Sequence, residues 1–317
     1  MVELFYLLLA IVFGGYFALA GYDYGVGVLL RITGRTDTQR RLVLGALGPF
    51  FLGNEVWLVA GLGLMIGAFP LGEGALLSGL YPVLVPLMVA IPVFTAGVQI
   101  RSRAAAARPA WDMAIVLSAG VITVGWGVAL GAMLQGFPVR FGPLPVVMGA
   151  LTTVLFTLHG ATLLVVRTTD GPRVRARRMA RRMGASATLL ATAAAATAVA
   201  EAHEAVSTVT LIVLFGLLLV AVVAANRLHR IGRGGAALVA TGIAAALPVV
   251  TVGAACLPYM YLHRDAASSI PLATAAASDA SLEFLAVSAI PVLPVLMAFQ
   301  VATWWIWRRT PQHPEFY

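Results

Sequence analysis

Long apolar segments with almost no charge are the feature that most constrains how this chain can fold. Several exceed the roughly 18 to 20 residues that cross the hydrocarbon core of a bilayer. Only 11% of the residues are charged and 60% are hydrophobic, whereas a soluble domain carries about 25% charged residues. The polar and apolar residues do not alternate as they do in the strands of a membrane barrel. The sequence therefore predicts an all-α polytopic membrane protein.

About nine segments are predicted to span the membrane. They lie near residues 3–30, 42–69, 75–99, 112–134, 144–166, 185–202, 206–225, 236–258 and 282–307. The sixth is rich in alanine and threonine, a composition that suits a helix packed against other helices rather than lipid. Residues 1–317 are therefore predicted to form a single integral membrane domain, with helices 1–4 at about 3–134, helices 5–8 at about 144–258 and a last helix at about 282–307.

The basic residues predict how the chain is oriented. All 21 are arginines, and all except Arg140 and Arg264 fall in alternate connections or in the C-terminal tail with Arg308 and Arg309. By the positive-inside rule these connections face the cytoplasm, which puts the N-terminus outside and the C-terminus in the cytoplasm of a cell-membrane protein.

The net charge of +8 follows from the same distribution, because the arginines are divided among short loops. No nucleic-acid partner is predicted. The densest run, residues 173–182, has two interpretations: a topology determinant, or a surface that favours anionic lipid headgroups.

Two acids inside the predicted spans are the candidate functional residues. Asp23 lies in the first span among glycines that allow a neighbouring helix to approach closely, and Glu55 lies near the middle of the second, beside Asn54 and Trp57. An ionisable residue at membrane depth indicates a proton, ion or ligand site. Both acids are candidates for the lining of a proton path, with Asn54 and Trp57 as further buried lining. The alternative is that each carboxyl only fixes helix packing through a hydrogen bond.

Other residue types give weaker indications. His159 is the one histidine deep in a predicted span, and a haem needs facing axial ligands. Packing or hydrogen bonding is therefore the preferred role for His159, and the chain is predicted to bind no haem by itself. The single cysteine, Cys256, excludes a cysteine-ligated metal centre within the chain and is predicted to pack as a small apolar residue. No metal site is predicted.

The two N-terminal phrases together resemble one family, subunit II of the cytochrome bd-type quinol oxidases. The family's G-[FY]-D-x-G-V-G phrase is matched by residues 21–27. Its P-x-W-D-G-N-[EQ]-V-W-L phrase is matched by Pro49 and residues 53–58, and its [DE]-x-x-R-R element loosely by residues 37–41. The likeness is strong over about residues 5–110, thin across 170–260 and moderate at the C-terminus.

The resemblance implies a fold of two four-helix bundles plus one extra helix. It implies a heterodimer with a haem-bearing subunit I, which holds haems b and haem d, oxidises quinol and reduces oxygen to water, so that charge separation contributes to the proton-motive force. Subunit II would then be a non-haem scaffold that also offers a proton route and a structural quinone site. A small single-helix subunit, membrane lipid and quinone are the further partners implied.

Departures from the family pattern bear on the proton route. Phe51 and Leu52 stand where Trp-Asp is typical, Ala20 replaces a frequent acid, and the end of the third span carries Phe94 and Gln99. Leucine cannot relay a proton. One hypothesis is that Glu55, three residues from Leu52 and on a neighbouring face of the helix, has taken over the role.

Two other functions remain open at the level of the sequence. A secondary transporter would use Asp23 and Glu55 as coupling carboxylates, although no convincing pair of interrupted repeats is present. A divergent, non-catalytic structural paralogue is compatible with Leu52.

Overall fold

The computed structural model describes residues 1–307, which are almost entirely helical. The helices are α1 (Val2–Thr33), α2 (Asp37–Leu47), α3 (Phe51–Ala68), α4 (Pro70–Gly79), α5 (Tyr81–Ile100), α6 (Arg108–Gln135), α7 (Pro143–Arg167), α8 (Asp170–Glu201), α9 (Thr208–Arg230), α10 (Gly234–Cys256), α11 (Leu272–Ala275), α12 (Asp279–Ala289) and α13 (Val292–Ile306). A short antiparallel ribbon pairs β1 (Tyr259–Tyr261) with β2 (Ile270–Pro271). The tail arginines, Arg308 and Arg309, lie outside the described residues.

Nine segments of the described chain are long and apolar enough to cross a membrane, which confirms the predicted class and number. They are α1, α3, α5, α6, α7, α8, α9, α10 and the pair α12–α13. The connections that carry Arg40, Arg101, Arg173 and Arg230 lie at the same end of the helices, called here the arginine-rich end.

The helices form the two predicted four-helix bundles. In the first, α1 packs against α3 and α6, and α5 packs against α6; in the second, α7, α8, α9 and α10 pack around one another. The two bundles meet where α1 and α6 contact α7 and α10. The ninth segment lies outside both, because Leu282 of α12 and Gln300 of α13 are its only buried residues.

Glycines set the distance between the bundles, as the glycine-rich end of the first span predicts. A Cβ on Gly25 of α1 would lie 1.8 Å from the carbonyl oxygen of Phe156 in α7, and a Cβ on Gly160 would lie 2.4 Å from the backbone of Gly25. Only residues without a side chain allow two helix backbones to approach this closely.

Four predicted spans have different bounds in the structure. The second does not run from 42 to 69: α2 and α3 are separated at residues 48–50. Pro49 has no amide hydrogen to bond to the carbonyl group of Gly45, so the helical hydrogen-bond ladder is interrupted there. The third, predicted at 75–99, is divided into α4 and α5 at Leu80, and the last, predicted at 282–307, is divided at Ile290 and Pro291.

The sixth span differs most, since α8 begins at Asp170 rather than near residue 185. The arginine run predicted as a loop is helical, in keeping with the good helix propensity of arginine. The predicted close packing holds for one face of this span only, since 28% of its apolar window is buried. Its buried residues are nearly all small and recur every three or four positions: Pro172, Ala176, Ala180, Gly184, Ala187, Ala191, Ala194 and Ala198.

Candidate functional site

A buried polar cluster joins α1 and α3 of the first bundle to α13. Asn54 Nδ2 donates to Asp23 Oδ2 at 2.7 Å and to the hydroxyl of Tyr22 at 2.8 Å. Gln300 Nε2 donates to Asn54 Oδ1 at 2.9 Å. All four side chains are buried. Tyr22, Asp23, Asn54 and Gln300 are called the Asp23 cluster below.

The second carboxyl oxygen of Asp23 is the one buried acceptor of this cluster that lacks a hydrogen-bond partner in the described chain. Asp23 Oδ1 is buried and has no hydrogen-bond partner among residues 1–307. No arginine of the described chain forms an ion pair with it; the ion pairs of Arg40, Arg41, Arg101 and Arg108 involve Asp37 and Asp112 instead. A buried carboxyl without a counter-ion is costly as an isolated charge. This environment therefore favours the neutral, protonated form of the Asp23 carboxyl, as a residue that exchanges a proton requires.

Glu55 lies in a different environment from Asp23. The sequence predicted Glu55 near the middle of a span, and this prediction is wrong. Because α3 begins at Phe51, Glu55 lies in the first turns of the helix. Its carboxylate accepts a hydrogen bond from the hydroxyl of Thr95 on α5. The side chain is half-buried, whereas Leu52, one turn earlier, is 51% exposed. Glu55 is thus at the border between the core and the outer face of the subunit.

Trp57 packs rather than taking part in the polar cluster. Its ring lies against α1, where a Cβ on Gly15 would come within 2.4 Å of it. Of the four predicted site residues, the structure therefore brings together Asp23 and Asn54. Sequence reasoning missed Gln300 and Thr95. A lone glutamine in an otherwise apolar last span was the signal that would have indicated Gln300.

His159 links three helices through its ring. Its Nδ1 lies 2.7 Å from the hydroxyl of Thr241 on α10, and its Nε2 donates to the carbonyl oxygen of Ala18 on α1 at 2.8 Å. Both nitrogens are engaged with protein groups, so the predicted hydrogen-bonding role is confirmed and the ring does not fit an axial haem ligand. Within residues 1–307, no three His, Cys, Asp or Glu side chains come together as a metal-binding group.

A charged junction holds the first bundle together at the arginine-rich end. Arg101 Nε donates to Asp112 at 2.5 Å, and Arg101 Nη2 donates to Asp37 at 2.8 Å. Arg40 and Arg108 add contacts to Asp112 at 2.9 Å and to Asp37 at 3.1 Å. Burial raises the pKa of Asp37, but the neighbouring guanidinium groups outweigh it, so that this pKa lies below its ordinary value of 3.8. The junction fixes α2, α5 and α6 relative to one another.

Comparison with known proteins assigns the chain to a family. The sequence model of the cytochrome bd terminal oxidase subunit II family matches residues 1–307. Cytochrome bd ubiquinol oxidase subunit 2 of Bacillus subtilis is 26% identical over 330 residues, which cover 99% of this chain and 97% of that protein. Cytochrome bd-I ubiquinol oxidase subunit 2 of Escherichia coli K12 is 29% identical over 192 residues, or 55% of this chain and 51% of that protein.

The fold matches as well. A chain in the structure of the bd oxidase from Geobacillus thermodenitrificans superposes with a TM-score of 0.80, covering 98% of this chain and 99% of that one at 18% identity. Since the family match extends over all the described residues, the chain belongs to the cytochrome bd terminal oxidase subunit II family.

Proposed function

We propose that this chain is the non-haem subunit II of a quinol:oxygen oxidoreductase in the cell membrane, paired as a heterodimer with a haem-bearing subunit I. The complex oxidises quinol, reduces oxygen to water and contributes to the proton-motive force. The observation that carries the proposal is the family match over residues 1–307. The full-length similarity to the Bacillus subtilis protein, whose name is that of a ubiquinol oxidase subunit, supports it.

The outer face of α3 and α5 supports a protein partner. Glu55 and Thr95 form a hydrogen bond there, and the same two helices expose the side chains of Leu52, Val56 and Met88. A half-exposed carboxyl within a membrane-spanning helix is costly in contact with lipid, and such groups face protein or a water-filled cavity. We therefore place subunit I against this face.

Co-purification tests the assignment. The tagged chain, extracted in mild detergent from cells that make haem d, should elute with a larger membrane protein and with reduced absorption bands of both b and d type. A small hydrophobic polypeptide in the same fraction would identify the third subunit. A colourless, solitary protein would contradict the proposal and favour the transporter or the structural paralogue.

Within this complex we propose that Asp23 holds a proton on its way from the cytoplasm. The haems of subunit I supply the oxygen chemistry. Asn54 holds one carboxyl oxygen of Asp23, and Asn54 is in turn held by Gln300. The other oxygen, Oδ1, is left without a partner in the described chain. The cluster thus orients the carboxyl and leaves one of its oxygens open to a proton donor or acceptor.

Asp23→Asn tests this role, because it keeps the shape of the side chain and removes the titratable group. Loss of a positioned proton-transfer group typically costs about 10²-fold or more, so quinol-driven oxygen consumption and proton uptake should both fall by at least about tenfold. Asp279→Asn, the same change at an exposed position, is the matched control. An Asp23→Asn complex with wild-type rates would show that this carboxyl only fixes packing.

Glu55 is tested separately with Glu55→Gln. If Glu55 has replaced the missing acid at position 52, proton uptake and oxygen consumption fall in this variant as well. Unchanged rates in an intact heterodimer would remove Glu55 from the proton route and leave it as a contact residue.

An apolar cavity in the half of the molecule away from the arginine-rich end supports a structural quinone. It has a volume of about 150 Å³ and lies between the two bundles, with Tyr6, Phe13, Met65, Trp126, Ala129 and Cys256 among its lining residues. Cys256 is buried there, as the sequence predicted. A dry cavity of this size accepts a six-membered aromatic ring. We propose that it holds part of a quinone molecule.

Solvent extraction of the purified complex, followed by mass spectrometry, measures the bound quinone. Ala129→Phe fills the cavity, so the quinone recovered per complex should fall by about one equivalent relative to wild type. Leu117→Phe is the control, since Leu117 lies on the same helix and is 61% exposed. Equal quinone contents in both variants would exclude this cavity as the site.

A further inference from the structure

A second, polar cavity lies among the helices at the arginine-rich end, separate from the Asp23 cluster, the charged junction and the apolar cavity. It has a volume of about 210 Å³ and is lined by Arg173 and Arg177 of α8, His229 of α9, and the glycines around the start of α10, Gly232, Gly234 and Gly235. Val165 and Val166 of α7 complete its wall. This cavity is called the basic pocket. Water occupies about 30 Å³ in the liquid, so the pocket has room for a larger polar group.

The two arginines bring positive charge that the described chain does not neutralise. Neither Arg173 nor Arg177 has an acidic side chain within ion-pair distance among residues 1–307; the ion pairs at this end are made by Arg40, Arg41, Arg101 and Arg108. The two residues are four apart on α8, so that they lie on the same face of the helix. Their guanidinium groups are suited to two-pronged hydrogen bonding of an oxyanion.

The ring of His229 is held in place by α7. Its Nε2 lies 2.9 Å from the hydroxyl oxygen of Thr162, whose single proton is donated to the carbonyl oxygen of Leu158 at 2.7 Å. This contact fixes the imidazole ring at the wall of the pocket.

The start of α10 contributes backbone donors. The helix has 23 residues, and no side chain among the described residues caps its N-terminus. The first amide groups of a helix lack intrahelical acceptors and carry a partial positive charge. A Cβ on Gly235 would meet no atom within 4 Å, so the backbone of the first turn borders open space.

We infer that the basic pocket binds a phosphate group. Two unpaired arginines, a fixed histidine and a helix N-terminus surround one cavity, and no carboxylate is among its lining residues. A phosphate offers several acceptor oxygens to donors arranged around it. The group comes either from the headgroup of an anionic lipid, whose recognition by basic pockets between membrane helices is well established, or from phosphate in solution.

The test uses the purified heterodimer and removes the pocket arginines together, as Arg173→Gln with Arg177→Gln. The matched control is Arg178→Gln with Arg182→Gln, which takes the same charge from the same helix at exposed positions outside the pocket. One arm titrates dioleoylphosphatidylglycerol against dioleoylphosphatidylcholine and follows adducts by native mass spectrometry. The other compares the melting midpoint in potassium phosphate and in potassium chloride of equal ionic strength.

We expect the pocket variant to bind phosphatidylglycerol about tenfold more weakly than the wild type and the control do. This result supports the site and identifies its ligand as a lipid headgroup. A phosphate-dependent rise in the melting midpoint that is lost only in the pocket variant supports it and assigns it to phosphate in solution. Equal behaviour of the pocket and control variants in both arms overturns the inference. If the glutamine variant does not assemble, Arg173→Lys with Arg177→Lys, which keeps the charge but not the forked geometry, is scored by the same criteria.

Discussion

Two aspartates that contact the same arginine differ sharply in exposure. Asp112 and Asp37 both accept from Arg101, but the Asp112 side chain is 1% exposed and the Asp37 side chain 43%. Removing one partner of a buried ion pair leaves an uncompensated charge and costs about 3–5 kcal/mol, whereas an exposed pair contributes at most about 1 kcal/mol. Burial, rather than the number of contacts, should decide the effect of each substitution.

We therefore expect Asp112→Asn to lower the free energy of unfolding by about 3 kcal/mol or more, and Asp37→Asn to lower it by less than about 1 kcal/mol. Unfolding in mixed detergent micelles at neutral pH measures both. The two variants are each other's control, since the chemistry of the change is the same and both aspartates bind Arg101. Equal losses would show that the junction does not act through the buried pair.

At the same scale, the sequence predicted which polar residues are unusual but not what each one contacts. Asp23 and Asn54 are 31 positions apart, and their hydrogen bond depends on how α1 packs on α3. Glu55, the neighbour of Asn54, faces Thr95 instead, because successive residues of a helix point about 100° apart. No local pattern specifies the distance between two helices, so the different environments of the two acids could not be predicted from the sequence.

At the scale of the element, the packing of α1 on α7 depends on the absence of a side chain at Gly25. A Cβ there would lie 1.8 Å from a backbone oxygen, which cannot move aside as a side chain can. We expect Gly25→Ala to destabilise the subunit by about 3 kcal/mol, the upper end of the usual cost of overpacking, and to reduce the amount of assembled protein.

Gly63→Ala is the control for this prediction. A Cβ at Gly63 of α3 would meet no atom within 4 Å, and alanine favours a helix over glycine by about 1 kcal/mol. Gly63→Ala should therefore leave stability unchanged or raise it, as measured by the melting midpoint. A Gly25→Ala protein as stable as Gly63→Ala would mean that α1 and α7 are farther apart than described.

At the scale of the whole molecule, the arginines predict which end faces the cytoplasm. The described connections rich in arginine lie together at one end of the helices, as the positive-inside rule requires. We expect Ala105→Cys, at that end, to be protected from a membrane-impermeant maleimide in intact cells, and Ser268→Cys, at the opposite end, to react. Both positions are exposed, and the native Cys256 is buried. If Ala105→Cys reacted and Ser268→Cys were protected, the orientation of the protein in the membrane would be opposite to the one proposed.

The sequence by itself determined the membrane class, the nine spans and the family, because hydrophobic length, charge distribution and the two glycine-containing phrases are local properties of the chain. Only the tertiary structure decided that Gln300 completes the Asp23 cluster, that Glu55 lies apart from it, and that Arg173 and Arg177 share a pocket with His229. Each of these depends on the rotation and separation of helices distant in sequence. Those quantities follow from packing at sites such as Gly25 and Gly160, which no local pattern specifies.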